Sequence, residues 1–284
     1  MPFNVVYIGS SGKGCDYINC HPDFNVAAVI CQKRMLNDDI LTCCYLRNIP
    51  IFEVECYCEL KNILTENAGK FDFGLMFIFG LILKPDILDN FLIFNMHLGY
   101  LPFYKGRNST FFATLNGEKR MGISLHKVTP KIDEGAIISR KSVPYYYWMG
   151  EEALRDAVAE QIPDLLTDLV TYFNNPDYKT IENNNKHYYP PINHSMLQIN
   201  EETPVKDILN IIRSQDCYNG GRFIYKGTTY LIKEAKVSMI NKINEEGLET
   251  NNRLFLKNGR PFGIKINDSH YLELKIHNIV NAIN

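Results

Sequence analysis

Short runs of apolar and β-branched residues recur through the first part of the chain, separated by stretches with helical spacing. Asn4–Ile8 (NVVYI) runs into the polar, glycine-rich Gly9–Gly14, and a second apolar run, Phe24–Ile30, follows after a segment of helical length. Ile51–Val54, Phe73–Phe77 and Leu92–Asn95 continue the series, with helices predicted at Asn37–Arg47 and Tyr57–Asn67. This alternation predicts a Rossmann-like α/β fold, a mostly parallel sheet with helices on both faces. The pattern then changes. Gly122–Val128 and Gly135–Val143 alternate as antiparallel strands do, and Glu151–Phe173 reads as one amphipathic helix kinked at Pro163. Asn174–Asn200, rich in Asn, Pro, Tyr and His, predicts an irregular connection. A short helix to Arg213 follows, with Thr203 as N-cap and Pro204 at its first position. The tail is β-rich: Arg222–Lys226 and Thr228–Glu234 form a hairpin about Gly227, and Leu254–Lys257 and Tyr271–Ile276 add strands. A large domain over residues 1–200 and a smaller β-rich region over 201–284 are therefore expected.

Composition narrows the class. The 284 residues are 45% hydrophobic and 22% charged, with a formal net charge of -2, the balance of an ordinary globular protein. A protein that coats nucleic acid needs a basic surface to displace phosphate counterions, so no nucleic-acid partner is expected. Phe3–Gly9 lacks a preceding cationic stretch and a small-residue cleavage site, so the chain is expected to start at Met1 without a signal peptide. Phe73–Phe94 is interrupted by charges around Pro85, so no transmembrane helix is predicted. A cytoplasmic protein with no membrane partner is the expectation. Its eight cysteines are then reduced, and Cys43-Cys44 and Cys56-Tyr57-Cys58 are too close for the usual zinc geometry. Most are expected to fill core space as small apolar residues.

Several residues carry candidate chemistry. Asn95 and His97 stand two apart at a strand end, so their side chains share a face. The carboxyl ends of strands border the ligand crevice of an open α/β sheet. Alone, the pair also fits a hydrogen-bonding fixture, and Asp133, two before Gly135, fits a plain turn. The loop Gly9–Gly14 matches neither G-x-G-x-x-G nor a P-loop. It either cradles a diphosphate through Gly9, Ser10 and Lys13 or simply turns the chain. Lys105 and Arg107 either meet a phosphate or are solvated. Tyr145-Tyr146-Tyr147-Trp148 reads as interdomain packing in preference to stacking on a ligand. His126, His187 and His194 read as structural.

The wider context is more specific. Asn95-Met96-His97 is followed by Leu101-Pro102, Lys105-Gly106, Gly122-Ile123-Ser124-Leu125-His126 and Ile132-Asp133-Glu134-Gly135. This series resembles the folate-dependent formyltransferases, which include methionyl-tRNA formyltransferase, glycinamide ribonucleotide formyltransferase and the sugar N-formyltransferases. The likeness is dense over residues 70–145 and loose over 1–200, which it marks as the catalytic domain. It implies that Asn95, His97 and Asp133 are catalytic, that 10-formyltetrahydrofolate is the cosubstrate and that no metal is needed. It also implies that Phe79, Gly80, Leu81, Ile82 and Leu83 wrap the pterin. Ser124 stands where many members carry Thr, and Gly99-Tyr100 where the tRNA and purine enzymes carry Ser-Leu. The second departure is similar to members acting on nucleotide-linked amino sugars. The resemblance therefore implies a small-molecule acceptor, a dTDP-linked amino deoxysugar such as dTDP-4-amino-4,6-dideoxyglucose, held by Gly9, Ser10, Lys13, Tyr100, Lys105 and Arg107. Family habit adds a homodimer through the C-terminal hairpin, and Tyr218–Phe223 resembles an element of sugar-modifying members, or else is a glycine turn. A methionyl-tRNA enzyme would carry a C-terminal barrel and a basic RNA-facing surface, which the mixed charge of the tail fits less well. A non-catalytic nucleotide-sugar binding module is the remaining alternative.

Formyl transfer to an amine makes sense of these residue types. The tetrahedral intermediate develops a negative oxygen, which the amide N–H of Asn95 and a donor from His97 suit. The amine must also lose a proton, which an imidazole accepts near neutral pH, with Asp133 orienting the ring. Which of the two roles His97 plays is left open by the sequence.

Overall fold

The computed structural model describes residues 1–184, 188–215, 220–243 and 248–281. The chain divides into two compact units: Met1–Ser109, Arg120–Pro144 and Asp156–Tyr189 make the first, and Thr110–Lys119, Tyr145–Arg155 and Pro190–Asn284 the second.

The first unit carries β1 (Phe3–Gly9), α1 (Gly12–Cys20), β2 (Phe24–Gln32), α2 (Asp38–Arg47), β3 (Ile51–Val54), α3 (Tyr57–Glu66), β4 (Phe73–Phe77), α4 (Pro85–Leu88) and β5 (Ile93–His97). α5 (Ser109–Leu115) falls almost wholly in the second unit; the first resumes with β6 (Arg120–Lys127), β7 (Ile137–Pro144), the end of α6 (Glu151–Ala159), whose first turn belongs to the second, and α7 (Ile162–Asn174). The sheet order is β3-β2-β1-β4-β5-β6-β7, parallel through β5 and antiparallel at β6 and β7. This is the α/β fold expected, and the order reverses between β1 and β4, the point where such sheets open a ligand crevice. Central strands buried on both faces need apolar side chains on both. Val6, Ile8, Ile30 and Ile93 accordingly pack with Leu60, Leu64 and Ile87 of α3 and α4. On the opposite face Phe3, Phe73 and Phe94 pack against Phe173 of α7 at centroid distances of 5.1, 5.0 and 5.7 Å.

Glycine sets how closely β1 and β4 approach. A Cβ on Gly9 would lie 2.0 Å from the Phe77 carbonyl oxygen, a backbone atom that cannot swing aside. Gly9→Ala is expected to destabilise the protein by about 1–3 kcal/mol, the usual cost of overpacking a close-packed interior. A urea midpoint unchanged from wild type would contradict this account of the contact.

The helix read from Glu151 to Phe173 is instead two, α6 and α7, broken at Glu160-Gln161. Pro163 sits in the first turn of α7, where its missing N–H leaves no bond unmade. Of the cysteines, Cys15, Cys31, Cys43 and Cys44 are buried as expected, whereas Cys20, Cys56 and Cys58 are exposed. Cys217, like His187, Tyr218 and Asn219, lies outside the described residues. Among the described residues no helix is long and apolar enough to cross a membrane.

The second unit contains β8 (Gln198–Ile199), α8 (Val205–Arg213), β9 (Gly221–Tyr225), β10 (Thr228–Met239), β11 (Leu248–Asn251), β12 (Leu254–Lys257), β13 (Arg260–Lys265) and β14 (His270–Asn281). Its sheet runs β11-β12-β13-β14-β10-β9-β8. Lys226 and Gly227, with φ of 47° and 77°, turn β9 into β10 as the hairpin requires. Ile208, Ile211 and Ile212 of α8 bury against Phe223, Ile232 and Leu272. The N-cap of α8 is Pro204, not Thr203, and it makes no side-chain cap bond. The Thr203 hydroxyl donates to Asn200 Oδ1 at 3.1 Å and accepts the Asn200 N–H at 3.0 Å, so it closes the preceding turn instead.

Candidate functional site

Sheet register brings the polar cluster together. β5 places Asn95 and His97 on one face at its carboxyl end, and the antiparallel β6 sets His126 opposite Asn95 and Ser124 opposite His97. Asn95 is half-buried, while His97, His126 and Asp133 are 8%, 2% and 8% exposed. Asp133 arrives from the turn before β7, its φ of 52° placing it in the left-handed region that Asp tolerates better than most side chains. Asn183 secures that turn by donating to the carbonyls of Asp133 and Gly135, both at 2.8 Å.

Asp133 lies between two imidazoles. Its Oδ2 is 3.6 Å from His97 Nδ1 and accepts the Gly106 N–H at 2.8 Å, while its Oδ1 is 3.3 Å from His126 Nε2. The far nitrogens are fixed: His97 Nε2 donates to the Tyr104 carbonyl at 2.8 Å and His126 Nδ1 to the Lys127 carbonyl at 3.0 Å. A carbonyl can only accept, so on each ring it is the nitrogen facing Asp133 that gains or loses a proton. Asn95 Nδ2 is 3.2 Å from His126 Nε2, which links the amide to the same network. Burial, the largest influence, pushes the Asp133 carboxyl upward. The His97 charge, the hydrogen bond and charge of His126 and the Gly106 N–H outweigh it and hold the carboxyl well below the usual carboxylate range.

The loop after β5 is pinned from β6. The buried Ser124 hydroxyl accepts the Leu101 N–H at 2.9 Å and donates to the Gly99 carbonyl at 2.7 Å. A Cβ on Gly99 would lie 2.4 Å from His97 Nε2, so a bare backbone keeps the imidazole in place. Arg140 donates to the Leu101 carbonyl at 2.6 Å and holds its guanidinium 4.3 Å from the centre of the Tyr100 ring.

The stretch Phe79–Leu83 follows β4 at the switch point. Ile78 before it has a φ of 54°, an outlier for a β-branched residue of the kind that clusters at binding sites. The Ser10 hydroxyl donates to the Ile78 carbonyl at 3.1 Å, the Gly80 N–H donates to Gln32 Oε1 at 2.7 Å, and Arg107 Nη2 donates to the Gly80 carbonyl at 2.9 Å. Ile82 is 56% exposed and Phe79 and Leu81 are half-buried, whereas Leu83 is a core residue. The stretch is thus apolar, partly open and held by its backbone, with Leu83 behind it.

The residues expected to hold phosphate divide. Gly9–Gly14 is a loop only to Ser11: helix α1 starts at Gly12, with the Ser11 hydroxyl capping the Gly14 N–H at 3.1 Å. Lys13 therefore lies on a helix, and its ammonium is 3.3 Å from Asp156 and 3.8 Å from Glu160. Ser10 and Arg107 turn to the protein backbone as described. Lys105 is buried, at 3% exposed, and its ammonium makes no ion pair among the described residues. Of the three cations in this set, Lys13 alone has an ion pair among the described residues; Arg107 meets only the Gly80 carbonyl, and Lys105 has no carboxylate beside it.

Two participants escape a sequence reading. His126 shares a strand with Ser124, and its register with Asn95 was the signal available. Asn183, 50 residues from Asp133, had none.

The sequence matches the formyl transferase family over residues 58–170, a span that includes every member of this cluster except Asn183. It is 29% identical over 213 residues to the methionyl-tRNA formyltransferase of Thermosipho melanesiensis, covering 72% of this chain and 69% of that one. The fold matches WlaRD, a sugar 3N-formyltransferase solved with dTDP and 5-N-formyl-THF, with a TM-score of 0.66, 21% identity and coverage of 98% and 99% of the two chains. HypX from Aquifex aeolicus, solved with tetrahydrofolic acid, gives a TM-score of 0.67 at 14% identity. That match covers 99% of this chain and only 45% of HypX.

Proposed function

We propose that this chain, which belongs to the folate-dependent formyltransferases and takes 10-formyltetrahydrofolate as its cosubstrate, formylates the amine of a dTDP-linked amino deoxysugar such as dTDP-4-amino-4,6-dideoxyglucose. The observation that carries the chemistry is the Asp133 carboxyl set between His97 and His126, with Asn95 on the same network. His97 Nδ1, at 3.6 Å from Asp133, is beyond hydrogen-bond length and so is free to accept the proton that the attacking amine loses. The Asp133 carboxylate then stabilises the imidazolium. Asn95 donates to the oxygen that becomes negative as the amine nitrogen bonds to the formyl carbon. Return of a proton from this relay to the departing folate nitrogen completes the exchange, giving an N-formyl product and tetrahydrofolate. Phe79, Gly80, Leu81 and Ile82 hold the pterin from the side of β4, supported by Leu83. Gly9, Ser10, Lys13, Tyr100, Lys105 and Arg107 border the acceptor, with the unpaired Lys105 meeting a phosphate and Ser10 and Arg107 acting by holding backbone. Residues 1–200 act as the catalytic domain and 201–284 as the region through which two copies pair in the cytoplasm.

The match to methionyl-tRNA formyltransferases favours a second acceptor, charged initiator tRNA. An acceptor panel separates the two: dTDP-linked 3-amino and 4-amino sugars, glycinamide ribonucleotide and methionyl-tRNA are each incubated with 10-formyltetrahydrofolate, and product is followed by mass. The expected outcome is a kcat/KM for a dTDP-amino sugar at least 100-fold above that for the other acceptors. A preference for methionyl-tRNA replaces the sugar reading, and a dTDP-sugar that binds while no amine is formylated makes the chain a binding module.

A further inference from the structure

We propose that a cavity built wholly from the second unit is a nucleotide-binding site, taking a nucleoside diphosphate with its base on Trp148 and its phosphates on the lysines of α8 and β10. The cavity, about 1430 Å³, is lined by residues of the segments before α6, of α8 and of β10 and β14. None of the residues assigned above to formyl transfer is among them, so the proposal stands apart from the acceptor chosen for that reaction.

Three observations point to this ligand. The first is aromatic. Tyr145 is buried, as a packing residue should be, but Tyr146, Tyr147 and Trp148 are 51%, 86% and 67% exposed, which overturns the packing reading for those three. Trp148 stacks on Tyr146 with ring centroids 5.6 Å apart and an interplanar angle of 6°. Large aromatic surface left in water is costly and marks an interaction site, and a stacked, exposed indole is the platform on which a base is held.

The second is charge. Six basic side chains line the cavity against three acidic ones. Two of the pairs neutralise each other, Lys236 with Glu273 at 3.2 Å and Lys275 with Glu234 at 3.0 Å. Lys119, Lys206 and Lys233 have no ion-pair partner among the described residues and converge on the same space. An excess of unpaired cations beside an indole matches a neutral base joined to a diphosphate that carries several negative charges.

The third is rigidity. Arg213 of α8 donates from Nη1 to the Tyr147 carbonyl at 2.9 Å and from Nη2 to Asn210 Oδ1 at 2.6 Å, with its guanidinium 5.1 Å from the centre of the Tyr145 ring. Its Nε is buried with no partner. Arg213 thus fastens the aromatic segment to α8 before any ligand arrives, and a preformed site loses less freedom on binding.

Trp148 is the single tryptophan of the chain, so its emission reports on this cavity alone. The test titrates the full chain, without folate, with dTDP and with ADP, and then with thymidine and inorganic pyrophosphate, which each supply half of the ligand. Saturable quenching by both nucleotides at sub-millimolar concentration is expected, with neither half-ligand saturating in that range. The exposed pair Lys206→Glu and Lys233→Glu should weaken nucleotide binding at least tenfold while the far-ultraviolet circular dichroism stays that of wild type. His97→Ala should leave the quenching unchanged, so failure of the formyl-transfer mechanism is read separately. Calorimetry of Trp148→Phe with ADP should show weaker binding. The proposal is overturned if neither nucleotide quenches saturably, if the double charge reversal leaves the affinity unchanged, or if a single-stranded oligonucleotide binds where mononucleotides do not, which would make the surface one for nucleic acid.

Discussion

His97→Ala is expected to lower kcat for formyl transfer by about 10²- to 10⁴-fold, the range contributed by a positioned acid or base, with KM for the acceptor changed little. The imidazole is held from both sides, by the Tyr104 carbonyl on Nε2 and by the field of Asp133 on Nδ1, so it is built for one orientation. Under the mechanism proposed, its removal takes away the nitrogen that accepts the amine proton and leaves the groups proposed to bind the acceptor in place. A loss confined to the chemical step appears as equal falls in kcat and kcat/KM. Since Gly99 leaves no room beside the ring, alanine also opens a small void, and a thermal unfolding scan should accompany the kinetics. If turnover stays near wild type in a folded protein, His97 is outside the mechanism.

Asp133→Asn is expected to have the second largest effect, a fall in kcat of about 10- to 10³-fold from loss of the charge that stabilises the imidazolium. The amide still accepts the Gly106 N–H, so the turn should persist. Stability gives an independent reading. The Asp133 carboxyl is held below its unfolded value, so its ionised form stabilises the fold. That contribution is fully present above the unfolded value of about 3.9 and is lost as pH falls through the lower folded value. Wild type should therefore resist urea better than Asp133→Asn at pH 7, and the gap should narrow as pH is lowered below about 4. A constant gap across that range would mean that the ion pairs with the histidines carry no weight.

Local pattern made the first sheet legible: runs such as Asn4–Ile8 and Phe73–Phe77 are buried on both faces and announce themselves. The pairing of Asn95 with His97 follows from a period of two residues, which any strand imposes. Asp133 was legible through the resemblance alone, because its approach depends on a turn that returns the chain to β6. The residues expected to hold phosphate were the hardest. Whether a surface cation meets solvent, a carboxylate or a backbone carbonyl depends on what the fold brings beside it: Lys13 meets Asp156 and Arg107 meets Gly80, while Lys105 is covered. Strands β11 and β13 escaped notice because Leu248–Asn251 is mostly polar and exposed and Arg260–Lys265 contains Pro261 and Gly263, residues that weaken a strand signal. In sequence Pro163 fits a kink as well as a helix start, because a sequence does not say where one helix stops and the next begins.

Isotope transfer in a single turnover reaches the central claim most directly. Enzyme in excess is mixed with 10-formyltetrahydrofolate labelled with ¹³C in the formyl carbon and with a dTDP-linked amino sugar, and the fate of the label is followed by mass spectrometry. The account predicts that wild type places the label on the sugar nitrogen within one turnover, and that the combined Asn95→Ala, His97→Ala, Asp133→Ala variant still binds folate but leaves the label there. Transfer by that variant at a rate near wild type would contradict it.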